Sequence, residues 1–165
     1  MVLRPIWLLL IMKEKKIYWF TGQPGAGKTS IANSLIEKLP KNTFHVDGDD
    51  LREIFNNKDY SETGRRKNIE LAQHLTHFLH NKGNNVIVSL VSPYKDQREE
   101  FKYKLNRSII EVYVHTNNIR GREDFHVKNY EKPTENFLDM DTSDILIETC
   151  VKQILEYEKL HSKSR

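Results

Sequence analysis

The chain has 165 residues, enough for one globular domain whose core needs no disulfide or metal staple. Charged residues make up 30% and hydrophobic ones 38%, which excludes extended disorder, and a net charge of +3 without a dense basic patch argues against a dedicated nucleic-acid binder. The single cysteine, Cys150, excludes an internal disulfide framework and suits a reducing, cytoplasmic setting.

The chain opens with MVLRPIWLLLIM, in which Ile6 to Met12 is an unbroken apolar run. That run is too short to span a bilayer, and KEKKIYWF follows where a secretory signal would need a small-residue cleavage site. Met12 is therefore read as the working start, with residues 1–11 as an N-terminal extension and 12–165 as a single domain; an interfacial anchor is the alternative. No membrane partner is expected.

Ile17 to Phe20 is a β-prone run ending at Thr21-Gly22, and Thr29 to Leu39 has helical spacing at Ile31, Leu35 and Leu39 before Pro40. Thr43 to Val46 reads as a second strand running into DGDD, Leu51 to Phe55 as a short helix, and Arg65 to Asn81 as a longer one. In that longer helix Leu71, Ala72, Leu75, Phe78 and Leu79 are expected on the buried face, which leaves His74, His77 and His80 on the solvated one rather than in a metal cluster. NNVIVSLVSP is an apolar strand closed by a proline, followed by a charged helix from Tyr94 to about Leu105 and a strand at Ser108 to His115. Residues 117–136 are polar and irregular, Phe137 to Met140 forms a last strand, Ile145 to Leu160 a terminal helix, and HSKSR a frayed tail. Trp19 and Cys150 are expected to pack in the interior. Strands alternating with helices predict an α/β fold, a three-layer α/β/α sandwich around a parallel sheet, with ligands at the carboxyl ends of the strands.

Gly22 to Thr29, GQPGAGKT, matches the phosphate-loop pattern in full and sits between a strand and a helix as that pattern requires. Its glycines let successive backbone N–H groups point at one centre, and the following helix adds its positive end. Gly22, Gln23, Pro24, Gly25, Ala26, Gly27, Lys28, Thr29 and Ser30 are thus the expected ATP-binding residues, Lys28 reaching the β and γ phosphates and Thr29 holding Mg²⁺. A P-loop NTPase of nucleotide-kinase type follows, because neither the D-x-x-G nor the N-K-x-D string of a switch GTPase occurs.

The acceptor side is read from three stretches. HVDGDDLREIF places Asp47, Asp49 and Asp50 near Arg52 at a strand's carboxyl end, GRRKNIELAQ sets Arg65 and Asn68 on one helix face, and VSLVSPY brings Val91 and Ser92 to the same rim. Arginine forks suit sulfate, phosphate or carboxylate, and asparagine can read a hydroxyl or base edge.

Together the phosphate loop, DGDDLR, the R-x-x-N-I of RRKNIELAQ, SLVSPYKDQR and IIEVYVHT resemble the adenylylsulfate kinases, whose usual wording is DGDN-[LV]-R, R-x-x-N-I and ISPY. The likeness runs from about Lys16 to Thr116 and resumes at YEKPTENFLDMDT. It implies a Mg·ATP-dependent enzyme that phosphorylates the 3′-hydroxyl of adenylyl sulfate in sulfate activation, often as a homodimer. It further implies that Asp49 organises the acceptor hydroxyl and the metal beside Thr29. Arg52, Arg65 and Asn68 would then hold the sulfonucleotide, Tyr60 would pack on its adenine, and Val91 and Ser92 would line the same pocket. Ser92 matches a serine described in the family as a phosphorylated intermediate, yet direct in-line transfer needs alignment and charge neutralisation rather than a protein nucleophile.

The likeness breaks at NNIRGREDFHVKNYE, where the family carries a markedly longer basic lid with an F-T-G clamp. Arg120, Arg122 and Lys128 are the residues available to supply its charge, with Arg120 or Arg122 standing for the arginine that rests against ATP; a plain solvated loop is the alternative. Because a lid completes the acceptor site, two further readings stay open: a kinase for another nucleotide-linked oxyanion, such as a cytidine diphosphoramidate-like compound, and a non-catalytic ATP sensor.

Overall fold

The structure, a computed structural model, describes residues 14–163; the extension at 1–11 and the start at Met12 lie outside them. Five strands, β1 (Ile17–Thr21), β2 (Thr43–Asp47), β3 (Asn85–Ser89), β4 (Ile109–His115) and β5 (Phe137–Asp141), form one sheet in the order β2-β3-β1-β4-β5. Every pairing is parallel. The helices are α1 (Lys28–Ile36), α2 (Gly48–Ile54), α3 (Glu62–Asn81), α4 (Lys95–Leu105) and α5 (Ile147–Lys163).

Alternation along β1 assigns the layers. Tyr18 and Phe20 point into a core shared with Ile31 and Leu35 of α1 and with Cys150 and Ile154 of α5. Ile17 and Trp19 point the other way, against Leu51 of α2, Ile69 and Ala72 of α3 and Phe101 of α4. Helices therefore cover both faces of the sheet, which is the expected three-layer sandwich. Neighbouring strands β1 and β3 are followed by helices on opposite faces, so a crevice opens between their carboxyl ends, where open parallel sheets bind ligands. Among the described residues no helix is long and apolar enough to cross a membrane.

Two expectations change. In α3 the buried line is Asn68, Ala72 and Thr76, four residues apart, while Phe78 is 58% and Leu75 37% exposed. Asn68 donates to the Gly48 carbonyl oxygen at 3.2 Å, and Ile69 and Ala72 are buried on the same side of the helix. His74 and His77 are exposed as expected, whereas His80 is half-buried rather than on the solvated face. At the other end α5 continues through Lys163, so His161 to Lys163 are helical rather than frayed.

A buried ion network joins α4 to β4. Arg98 and Glu111, each 1% exposed in its side chain, meet at 2.8 Å, and Lys102 reaches the second Glu111 oxygen at 2.6 Å. The Arg98 guanidinium also donates to the carbonyl oxygens of Ser92 and Glu131, so one charge fixes three chain segments. Glu111→Gln would strand a buried guanidinium and is expected to cost about 3–5 kcal/mol; urea denaturation of the two proteins measures the difference.

Candidate active site

The phosphate loop curls as its glycines demand. A Cβ at Gly22 would collide with the Val114 carbonyl oxygen, and Gly27 caps α1 at φ 105°, a left-handed conformation that side chains disfavour. Lys28 lies folded into the loop, its ammonium donating to the carbonyl oxygens of Gly22 at 2.8 Å and Gln23 at 2.9 Å. Burial pulls its pKa down to about 8, with Asp47 and Asp49 opposing that fall and Arg122 adding to it.

Asp47 is the centre of a hydrogen-bonded group beside the loop. Its Oδ2 accepts from Thr29 Oγ1 at 3.0 Å and from Ser89 Oγ at 2.7 Å, while its Oδ1 accepts from the Asp49 backbone N–H at 2.9 Å and so caps α2. Burial alone would raise this carboxyl's pKa; the hydrogen bonds from Ser89, Asp49 and Thr29 and the nearby His45 outweigh it and hold the group below the usual range. His45 Nε2 lies 2.7 Å from Ser89 Oγ, and burial lowers the His45 pKa against the pull of Asp47 and Asp50. Asp49 lines the same cavity but is not the partner of Thr29. The sequence pointed to Asp49 and left Asp47 without a role, although its place as the last residue of β2 is the signal that finds it.

A single cavity of about 1050 Å³ reaches from this centre to the ends of α2 and α3, with Lys28, Thr29, Arg52, Tyr60, Arg65 and Asn68 among its walls. Arg52 donates to the Asp59 carbonyl oxygen at 2.9 Å and lies over the Tyr60 ring at 4.2 Å, and Arg65 donates to the Tyr60 carbonyl oxygen at 2.8 Å. Tyr60 itself is 60% exposed, which leaves ring surface for a ligand. Asn68 Oδ1 and Ser92 Oγ are buried atoms of the cavity-lining residues with no hydrogen-bond partner in the protein. Ser92 sits at φ 43°, held there by the bonds its carbonyl oxygen accepts from Thr21 and Arg98. Val91 lines the wall beside it.

The segment at 117–136 crosses over the phosphate loop. Gln23 grips the Val127 backbone twice, Nε2 to the carbonyl oxygen at 2.8 Å and Oε1 from the N–H at 2.9 Å, and His126 Nε2 lies 3.2 Å from the Pro24 carbonyl oxygen. Arg120 donates to the carbonyl oxygens of Gly25 at 3.3 Å and Thr142 at 2.8 Å, and Arg122 packs its side chain against Gly25. Both arginines line the cavity, and so does Phe125, 62% exposed in a 3₁₀ turn, whereas Lys128 does not. Pro24, Gly25, Gly27 and Ser30 line the cavity, whereas Ala26 is in the core and Gln23 holds the crossing segment. Phe125 carried no motif and was not legible.

The model of the adenylylsulphate kinase family matches residues 14–137, three quarters of the chain. The chain belongs to the adenylylsulphate kinase family. It is 37% identical over 105 residues to the adenylyl-sulfate kinase of Buchnera aphidicola subsp. Schizaphis graminum, covering 61% of this chain and 50% of that protein. The chain thus matches about half the length of that relative. It is also 29% identical over 153 residues to the cytidine diphosphoramidate kinase of Campylobacter jejuni, covering 85% of this chain and 89% of that one. In structure it is similar to the Mycobacterium tuberculosis APS kinase CysC in complex with AMPPNP and APS, at a TM-score of 0.74 and 22% identity over 88% of this chain and 98% of that one. That likeness carries the fold alone.

The buried ammonium makes a prediction about pH. A bound polyphosphate raises the Lys28 pKa, so nucleotide binding takes up a proton once the free amine has lost one. ATP affinity is therefore expected to be flat below about pH 8 and to fall roughly tenfold per pH unit above it. Calorimetric titration with a non-hydrolysable ATP analogue at pH 7, 8 and 9 measures this, and Lys28→Arg is expected to remove the slope.

Proposed function

We propose that this chain transfers the γ-phosphate of ATP to a hydroxyl of a nucleotide acceptor, and that the acceptor is adenylyl sulfate, phosphorylated at its 3′-hydroxyl. One observation carries the reading: a single cavity has the phosphate loop on one wall and, on another, two arginines and an asparagine whose buried oxygen has no partner. A protein that only sensed ATP would need no second set of anion-binding forks.

The roles follow from chemistry. Lys28 and the loop N–H groups grip the β and γ phosphates, and Pro24, Gly25 and Gly27 to Ser30 with Arg120 and Arg122 form the ATP side. Thr29, Asp47 and Asp49 offer the hard oxygen donors that Mg²⁺ prefers, and the Thr29–Asp47 contact at 3.0 Å places two of them together. Mg²⁺ held there neutralises phosphate charge. Asp49 orients the acceptor hydroxyl, Arg52 and Arg65 hold its sulfate and phosphate, Tyr60 packs on its base, and Val91 and Ser92 shape the pocket. Asn68 Oδ1 is an acceptor that requires a donor, and a ribose hydroxyl or an exocyclic amine supplies one. Transfer is read as direct in-line attack, since phosphoryl transfer needs alignment and charge neutralisation rather than a protein nucleophile at Ser92. A cytoplasmic setting, supported by the buried free thiol of Cys150, and the homodimer that the family resemblance implies complete the proposal.

A second reading has its own support. The brevity of the 117–136 segment, together with the similarity to a cytidine diphosphoramidate kinase along 89% of that protein, favours a related nucleotide-linked oxyanion as acceptor. ADP release measured with adenylyl sulfate and with a panel of cytidine and adenosine nucleotides decides. Strong preference for adenylyl sulfate supports the first reading, preference for a cytidine acceptor the second, and ATP binding without acceptor-stimulated turnover sinks both. Arg65→Ala and Asn68→Ala are each expected to lower kcat/KM for the acceptor by roughly 10- to 100-fold, the worth of one or two hydrogen bonds to charged groups, while leaving KM for ATP within about twofold.

A further inference from the structure

We infer that His45 is a positioning residue for the Asp47 carboxylate, acting through Ser89; the inference rests on the kinase reading for its functional consequence but on geometry for its substance. His45 and Asp47 lie on one face of the edge strand β2, and Ser89 is the residue of β3 paired with Asp47. Ser89 Oγ is 2.7 Å from His45 Nε2 and 2.7 Å from Asp47 Oδ2. His45 Nε2 is itself 3.9 Å from Asp47 Oδ2, too far for a direct hydrogen bond, so the hydroxyl bridges them.

The proton count fixes the direction of the chain. A serine hydroxyl has one hydrogen, and an ionised carboxylate can only accept, so the Ser89 hydrogen goes to Asp47. The His45–Ser89 contact must then be donated by the imidazole, which makes His45 an Nε2–H tautomer. Asp47 Oδ2 consequently takes hydrogen bonds from Ser89 and from Thr29 at once, and Oδ1 takes one from the Asp49 N–H. Ser89 is 3% exposed, so its oxygen is largely shielded from solvent. Without the imidazole the hydroxyl is free to rotate away, and the carboxylate loses the contact that sets it opposite Thr29. Hydrogen-bonded supports of this kind around metal-holding oxygens change metal affinity by about 10- to 100-fold when removed.

The test has three arms. In the unaltered protein with ¹⁵N-labelled histidine, long-range ¹H–¹⁵N spectra are expected to show the His45 proton on Nε2; a proton on Nδ1 with bare Nε2 overturns the proposal. His45→Leu and Ser89→Ala are expected to weaken Mg²⁺-dependent binding of a non-hydrolysable ATP analogue by about tenfold, with binding in EDTA unchanged. His45→Gln, whose amide can donate in the same direction, is expected to recover most of the loss. Equal Mg²⁺ dependence in all four proteins overturns the proposal, as does a loss of binding in EDTA that matches the loss with Mg²⁺, since that is a collapsed loop rather than a displaced carboxylate. Should His45→Leu fail to fold, Ser89→Ala breaks the same chain from its other end and is read by the same criteria. Absence of acceptor-dependent turnover in the unaltered protein would sink the kinase reading while leaving the spectra and the binding data to judge His45.

Discussion

The contact between Gly22 and the Val114 carbonyl oxygen governs the path of the chain out of the central strand. With no room for a side chain there, the backbone leaves β1 pressed against β4 and must rise and curl before α1 can begin. The curl gathers the loop around Lys28 and presents Thr29 toward the end of β2. Because β3 lies between β1 and β2, Ser89 is brought beside Asp47, and the end of β3 delivers Val91 and Ser92 to the other side of the crevice. One steric constraint in the middle of the sheet thus places groups from three strands around a single point.

Charge is arranged around that point in two tiers. Near the loop, the carboxylates of Asp47 and Asp49 oppose the pull of burial on Lys28 and keep a cation usable in a buried place. Further out, Arg52 and Arg65 are held by backbone carbonyl oxygens rather than by acidic side chains. Carbonyl partners orient a guanidinium without neutralising it, so its charge remains available to an anionic ligand.

The crossing segment shows how a short connection roofs a site. Its grip comes from Gln23, a phosphate-loop side chain turned away from the cavity, and from the buried Arg98 guanidinium. Arg98 also holds the Ser92 carbonyl oxygen, so the roof and the cavity wall at Ser92 share one anchor that is itself paired with Glu111. Breaking that pair disturbs the site from outside it.

From the sequence alone the order of elements, the parallel sheet, the phosphate loop and the placement of the DGDDLR and RRKNI side chains on one rim were legible. Each rests on local information, namely hydrophobic period, glycine placement and spacing along one helix. The buried face of α3 was only partly legible: Ala72 is buried and Leu79 packs on the core as the apolar period predicts, whereas Asn68 and Thr76 are buried with them and Phe78 is left in solvent. Not legible were the partnership of Asp47 with Thr29, the support from His45 through Ser89, the position of Phe125 and the grip of Gln23 on Val127. These depend on which strands lie side by side and on where an irregular segment crosses, and such contacts join residues far apart in the chain whose local patterns carry no trace of one another.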